Sequence, residues 1–294
     1  ETGGELLISL VGNAGQTAIV PERMKGWNVA RAVAVLRFNK DISTKYIQYA
    51  LQSYPLQSLM KAWCNTTVQE TLNLKEIRQL PLPLPNRYQQ EGISHILGTI
   101  DNKIEINKKT NETIEEITKA LFKSWFIDFH PVRTKADGRS TGLPDEICAL
   151  FPDSFENSKS FEIPSGWKES CLSDIFSIQG GSQPPAKTFI EYEKEGYIRL
   201  LQIRDFLGDN HMTYVPFSKN LRLVDEDDVL IGRYGSGNGK FMDDSLGRPL
   251  RGLSGAINVA IVETHPKQKN MIELIYAMVL SGWFYRQVVG GSSR

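Results

Sequence analysis

The chain has 294 residues, enough for about two domains that each bury a core. Lys plus Arg equals Asp plus Glu at 34 each, so the composition is that of a globular protein and the overall charge does not advertise a nucleic-acid partner, although arginines can still gather on one face. No run approaches the ~18 apolar residues of a membrane span, Glu1-Thr2-Gly3-Gly4 has no signal-peptide character, and Cys64, Cys148 and Cys171 fit neither a disulfide framework nor zinc-ligand spacing. They are read as cytosolic, mostly buried thiols.

The first element is an acid, an apolar run and a glycine turn: Glu5-Leu6-Leu7-Ile8-Ser9-Leu10-Val11-Gly12-Asn13-Ala14-Gly15. It is echoed far downstream by Asp228-Val229-Leu230-Ile231-Gly232-Arg233-Tyr234-Gly235-Ser236-Gly237-Asn238-Gly239. Trp27-Asn28-Val29-Ala30 is likewise answered by Ile257-Asn258-Val259-Ala260, and both copies run into apolar-periodic segments at residues 46–56 and 271–285. A repeat at this distance predicts two similar domains separated by whatever lies between them.

Leu80-Pro81-Leu82-Pro83-Leu84-Pro85 follows the first copy as an extended connector, because each proline fixes its own φ and pushes the preceding residue out of the helical region. Beyond it, a 4-3 apolar spacing through Ile93, Leu97, Ile100, Ile104, Asn107, Asn111, Ile114, Thr118, Leu121 and Trp125 predicts a coiled-coil helix over residues 89–129. About forty helical residues extend on the order of 60 Å. Such a seam needs another helix to cover it. Asn107 and Asn111 flank its middle, where an antiparallel pairing would let them meet; two solvated positions are the alternative.

Phe129-His130-Pro131-Val132-Arg133 is read as the helix stop, and residues 136–166, rich in Gly, Pro, Ser and Asp, as a linker. The expected organisation is residues 1–85 in a first domain, 86–130 in a spacer helix, 131–165 in a linker and 166–294 in a second domain. The fold class is α+β.

The segments Leu121-Phe122-Lys123-Ser124-Trp125-Phe126-Ile127-Asp128-Phe129, Pro131-Val132-Arg133, Gly142-Leu143-Pro144, Leu150-Phe151-Pro152-Asp153-Ser154-Phe155 and Ile163-Pro164-Ser165-Gly166-Trp167 resemble the specificity subunit of Type I restriction-modification systems. The resemblance implies two target recognition domains, each followed by a conserved helix, with the helices paired antiparallel. It also implies about a hundred further residues before Glu5 and a second helix after Arg294, so this chain is expected to be a fragment or a short form that self-associates. Implied partners are double-stranded DNA, methyltransferase subunits and, in the restriction form, a translocase-nuclease subunit. S-adenosylmethionine, ATP and Mg would belong to those partners, with no cofactor in this chain and a location in a bacterial or archaeal cytoplasm.

DNA recognition needs donors to phosphates for position and side chains at base edges for sequence, with Arg favoured on guanine and Asn or Gln on adenine. Candidates in the second domain are Ser182 and Gln183 after a strand-like run at residues 172–178, and Arg233, Tyr234, Ser236, Asn238 and Lys240 in the glycine loop. Arg199, Arg204, Arg248 and Arg251 are further candidates. In the first domain they are Asn13, Gln16, Lys25, Arg31, Thr67 and Gln69. A plain hairpin turn or solvated surface is the alternative for each.

Catalytic signatures fail: residues 234–240 do not match GxxxxGK[ST], Gln183-Pro184-Pro185 lacks both ends of a methyltransferase motif, and the four histidines form no metal-ligand pair. The leading reading is a non-catalytic DNA-recognition subunit for a two-part target. A coiled-coil protein-interaction scaffold without sequence-specific DNA binding is the competing one.

Overall fold

The computed structural model describes residues 3–64, 71–158, 161–206, 208, 212–234 and 245–291. The chain divides into two compact units, Glu1–Thr110 and Asn111–Arg294. The division falls inside the long helix rather than at either of its ends.

In the first unit, β1 (Leu6–Ser9) is the middle strand of an antiparallel sheet ordered β2 (Thr17–Ile19), β1, β3 (Val33–Leu36). Its side chains alternate, with Leu6 and Ile8 fully buried and Leu7 only partly so, as expected of a strand covered on one face. The cover is α1 (Thr44–Gln52) and α2 (Tyr54–Trp63). Ser43 caps α1 by accepting a hydrogen bond from the Tyr46 backbone N–H, and Tyr46, Ile47 and Leu51 pack on Leu6. Met60 of α2 lies with Ile8. After α3 (Leu74–Arg78) the proline connector runs extended, anchored by Leu80 and Leu82 and by the Tyr46 hydroxyl, which donates to the Pro83 carbonyl at 2.7 Å.

The helix α4 (Arg87–Phe122) is 36 residues long. In the first unit, its face bearing Gln90, Ser94 and Gly98 receives α1: the Ser43 N–H donates to Gln90 Oε1 at 2.8 Å and the Tyr49 hydroxyl to Asp101 Oδ2 at 2.6 Å. A Cβ on Gly98 would lie 2.5 Å from Lys45 Nζ, the mobile end of a side chain that lies along this face. Burial, then the hydrogen bond to Asp101, pushes the Tyr49 hydroxyl up to about 12. The apolar seam lies on a different face. Ile93, Leu97, Ile100, Ile104, Asn107, Asn111, Ile114 and Leu121 are all exposed.

In the second unit the long helix stops at Phe129, as expected, and the stretch expected as a linker carries elements of its own. Helical backbone continues past Phe122 as a π-helical turn, Lys123–Ile127, then breaks at Phe129, whose φ of 52° is left-handed. It resumes at once in α5 (His130–Ala136), with Pro131 in the first turn, where its missing N–H costs nothing. The expected linker also holds α6 (Asp145–Cys148) and a hairpin of β4 (Phe155–Asn157) and β5 (Glu162–Pro164). Aromatic rings pack it down: Trp125 meets Phe151 edge-on at 5.4 Å, and Phe129 meets Phe155 at 6.2 Å and Trp167 at 5.8 Å. Rings of this size bury enough apolar area to fold a stretch whose Gly and Pro content reads as loop. Trp125 is therefore packed within the chain and is no part of the exposed seam.

The rest of this unit begins with α7 (Leu172–Ile175) and β6 (Phe176–Gly180), so the run read as one strand from Leu172 opens with a helical turn closed by Asp174 accepting from the Cys171 N–H at 2.9 Å. Then come β7 (Tyr197–Leu201), β8 (Tyr214–Pro216), β9 (Arg222–Val224), β10 (Val229–Gly232), β11 (Pro249–Leu250), β12 (Gly255–Ile257) and β13 (Ile261–Pro266). The helices α8 (Ile272–Leu280) and α9 (Trp283–Gly291) close the unit. One sheet is ordered β11-β10-β13-β6 and the other β8-β7-β12-β9. On one face of the first sheet, Val229 and Ile231 pack with Ile275, Val279, Phe284 and Phe122; on the other, Leu230 and Ile261 pack with Leu201 and Ile257 of the second sheet and with Phe206. Covered on both faces, β10 is buried throughout. Of the cysteines, only Cys64 is buried; Cys148 is half-buried and Cys171 exposed.

Candidate nucleic-acid interface

Strand register brings several loops of the second unit to one end of its two sheets. Gly232 at the end of β10 faces Ile261 at the start of β13, Val262 faces Gly180 at the end of β6, and Ile231 faces Pro249 at the start of β11. The second sheet ends at the same place, since the Ser182 N–H donates to the Ile257 carbonyl and the Asn258 N–H to the Leu201 carbonyl, both at 3.1 Å. The edge thus collects Ser182, Gln183, Arg204, Arg233, Tyr234 and Arg248. Arg204, Arg233 and Tyr234 are exposed, with the Arg233 guanidinium 5.4 Å from the centre of the Tyr234 ring. Arg248 is half-buried. Gln183 is exposed, whereas the Ser182 hydroxyl is buried with no hydrogen-bond partner.

Two arginines do not join this edge as free donors. Arg199, inside β7, donates to Asp205 Oδ1 at 2.9 Å, and both side chains are largely buried, 18% and 2% exposed. Arg251 donates to Glu273 Oε2 at 2.8 Å and lies over Tyr276; the Glu273 hydrogen bond holds its guanidinium above the usual range. Arg199, inside the sheet, needs the buried Asp205 carboxylate to offset its desolvation, whereas Arg251 is tied to the exposed Glu273 outside the sheet. Ser236, Asn238, Lys240, Thr67 and Gln69 lie outside the described residues.

In the first unit, Asn13 and Gln16 are exposed in the β1–β2 turn, which Ser9 organises: its hydroxyl donates to the Asn13 carbonyl and accepts from the Gln16 N–H at 3.0 Å. Arg31 is exposed at the same sheet end, two residues before Val33, the partner of Ser9. Lys25, exposed in the crossing to β3, lies 3.7 Å from Glu22.

Hydrogen bonds align the two copies more closely than their sequences do. The Ser9 N–H donates to the Gln16 carbonyl and the Gly15 N–H to the Ser9 carbonyl; correspondingly, the Gly232 N–H donates to Arg248 and the Gly247 N–H to Gly232. Gln16 therefore corresponds to Arg248, and the extra length of the second turn lies between Arg233 and Gly247. Gly15 and Gly247 both have left-handed backbone, φ 88° and 70°, over the second helix, where a Cβ would meet Met60 or Tyr285. Loop length, which no local periodicity records, hid this register.

Sequence reading also passed over Gln202, Asp205, Arg222 and Glu263. Glu263, in the middle of β13 and 2% exposed, takes Arg222 Nε at 2.5 Å and lies 3.0 Å from His265 Nε2. Its signal was an acid directly after the apolar pair Ile261-Val262 in a strand-forming run. Among the described residues, no group of three or more His, Cys, Asp or Glu is placed to hold a metal ion, and no helix is long and apolar enough to cross a membrane.

Residues 1–116 match the model of the Type I restriction modification DNA specificity domain. The HindI specificity subunit of Haemophilus influenzae is 33% identical over 187 residues, covering 50% of this chain and 37% of that protein. The MjaIX specificity subunit of Methanocaldococcus jannaschii is 26% identical over 160 residues, 54% of this chain and 33% of that one. The matched part thus spans about a third of these relatives' own length. A crystal structure of the S subunit from M. genitalium covers 99% of this chain and 67% of its own at 14% identity and a TM-score of 0.43, too loose a likeness to fix the fold. The class defined here is the Type I DNA specificity domain. Over residues 1–116 the chain carries that domain, and over about half its length it is similar to Type I restriction-modification specificity subunits.

Proposed function

We propose that this chain supplies DNA sequence recognition, and no catalysis, to a Type I restriction-modification complex in a bacterial or archaeal cytoplasm. The observation that carries the reading is the single sheet end bearing Arg204, Arg233, Tyr234, Arg248 and Gln183, in a chain that carries the Type I DNA specificity domain over residues 1–116. Guanidinium groups there suit phosphates and guanine edges, and Gln183 suits adenine. The corresponding turn of the first unit offers Asn13, Gln16 and Arg31. Two readers of different chemistry support a bipartite target with a nonspecific gap.

The exposed seam of α4 supports helix pairing, antiparallel with a second copy or a similar helix, and docking of methyltransferase and restriction subunits around it. Those partners would bring S-adenosylmethionine, ATP and Mg. The same apolar face also suits a protein-interaction scaffold without sequence-specific DNA binding. Salt separates the two readings: neutralised phosphates make DNA affinity fall steeply with ionic strength. The full chain is expected to bind duplex DNA with such a slope, and an Arg233→Ala/Lys240→Ala variant to keep its melting temperature while binding at least about tenfold more weakly. Salt-independent binding, or none, favours the scaffold.

A further inference from the structure

We infer that the buried Arg199–Asp205 ion pair is a positioning device that presents Arg204 to DNA; this rests on the recognition reading above. Residues 203–206 form a 3-10 turn directly after β7 at the shared sheet end. Asp205 holds that turn from inside. Its Oδ1 accepts from Arg199 at 2.9 Å and its Oδ2 from the Gln202 backbone N–H at 2.6 Å, while the Asp205 N–H donates to the Gln202 carbonyl at 2.9 Å. Phe206 is buried beside Leu201 and Ile257, with Ile203 packed against the same cluster.

Arg204 is the one residue of the turn that is exposed, its guanidinium braced by the hydroxyl of buried Thr213. Three residues of the turn thus face inward and hold a fourth outward. Removing an ion pair's desolvation cost by substituting apolar residues is often neutral or stabilising, so stability alone is weak grounds for keeping this one. A fixed guanidinium is a better reason, because a side chain ordered in advance loses less entropy on binding. The buried and unpartnered Gln202 amide nitrogen adds to the cost that the turn carries.

The test is a double-mutant cycle on the full chain, read as affinity for a labelled pool of random-sequence duplexes at several salt concentrations. Arg204→Ala and Asp205→Asn are each expected to weaken binding about tenfold and to flatten the salt slope by about one. Combined, they should weaken it no further than either alone, whereas Asp205→Asn with Arg233→Ala should multiply. If Asp205→Asn melts the second unit, Arg199→Lys, which keeps the charge but moves the donor to Asp205 Oδ1, replaces it in the same cycle. Additivity between the turn variants and Arg204→Ala would overturn the positioning role, as would wild-type binding that Arg204→Ala leaves unchanged. Absence of salt-dependent duplex binding by the wild type would overturn the recognition reading and this inference with it.

Discussion

The β1–β2 turn of the first unit and the β10–β11 turn of the second share one frame and differ in what they carry. Each is closed by the same pair of backbone hydrogen bonds and by a left-handed glycine over the second helix. Within that frame Ser9 ties a short turn to itself. Gly232 stands in its place, and a Cβ there would lie 1.9 Å from the Ser245 carbonyl oxygen, so the longer turn needs a residue with no side chain. The contrast separates what is kept, the hydrogen bonds and glycines, from what changes, the turn length and polar side chains.

The largest difference in stability is expected where the copies differ inside the sheet. Val35 faces Leu7 in β1, and Glu263 faces the corresponding Leu230 in β10. Glu263→Ala leaves Arg222 without its carboxylate and should cost about 3 kcal/mol. Val35→Ala, at a half-buried site, should cost about 1 kcal/mol. Denaturant melts of the two variants measure the gap; equal costs would mean that the Arg222–Glu263 pair does not hold the second unit's sheets together.

The shared glycines come next. Gly247→Ala places a Cβ 2.8 Å from Tyr285 Cδ2 in left-handed backbone and should destabilise by about 2 kcal/mol. Gly15→Ala meets only the flexible end of Met60 at 3.3 Å and should cost nearer 1 kcal/mol. A melting temperature unchanged by both would show that the frame tolerates side chains and that the glycines mark nothing in common.

How much of this was legible in the sequence depends on the range of the interaction. The strands at Leu6 and Val229, the proline connector and the long helix were readable because alternation, proline and heptad spacing are local. The short elements inside the expected linker were not legible because its Gly and Pro content is local, whereas the packing of Trp125, Phe129, Phe155 and Trp167 is not. The roles of Arg199 and Arg251 were invisible for the same reason, since Asp205 and Glu273 become their partners only on folding. The correspondence of Gln16 with Arg248 needed strand register, because the extra length of the second turn displaces it in sequence.

The smallest expected effect concerns how each unit meets its own half of α4. In the first, the Tyr49 hydroxyl bonds to Asp101; in the second, burial, followed by the charge of Glu115, raises Tyr276. The folded Tyr49 value of about 12 exceeds the ordinary 10, so its contribution is fully present below pH ~10 and is lost as pH rises toward 12. Tyr49→Phe should remove that part of the alkaline loss of stability in melts between those values. An unchanged alkaline profile would show that the hydroxyl contributes nothing to that contact.

The most direct test of the central claim, one frame carrying two readers, is a hairpin exchange. Residues 233–248 are replaced by residues 10–16 in the full chain, and duplexes enriched from a randomised pool are sequenced for both proteins. The account predicts that one half of the enriched bipartite sequence changes while the other is retained. An enriched sequence identical to the wild type's would contradict it.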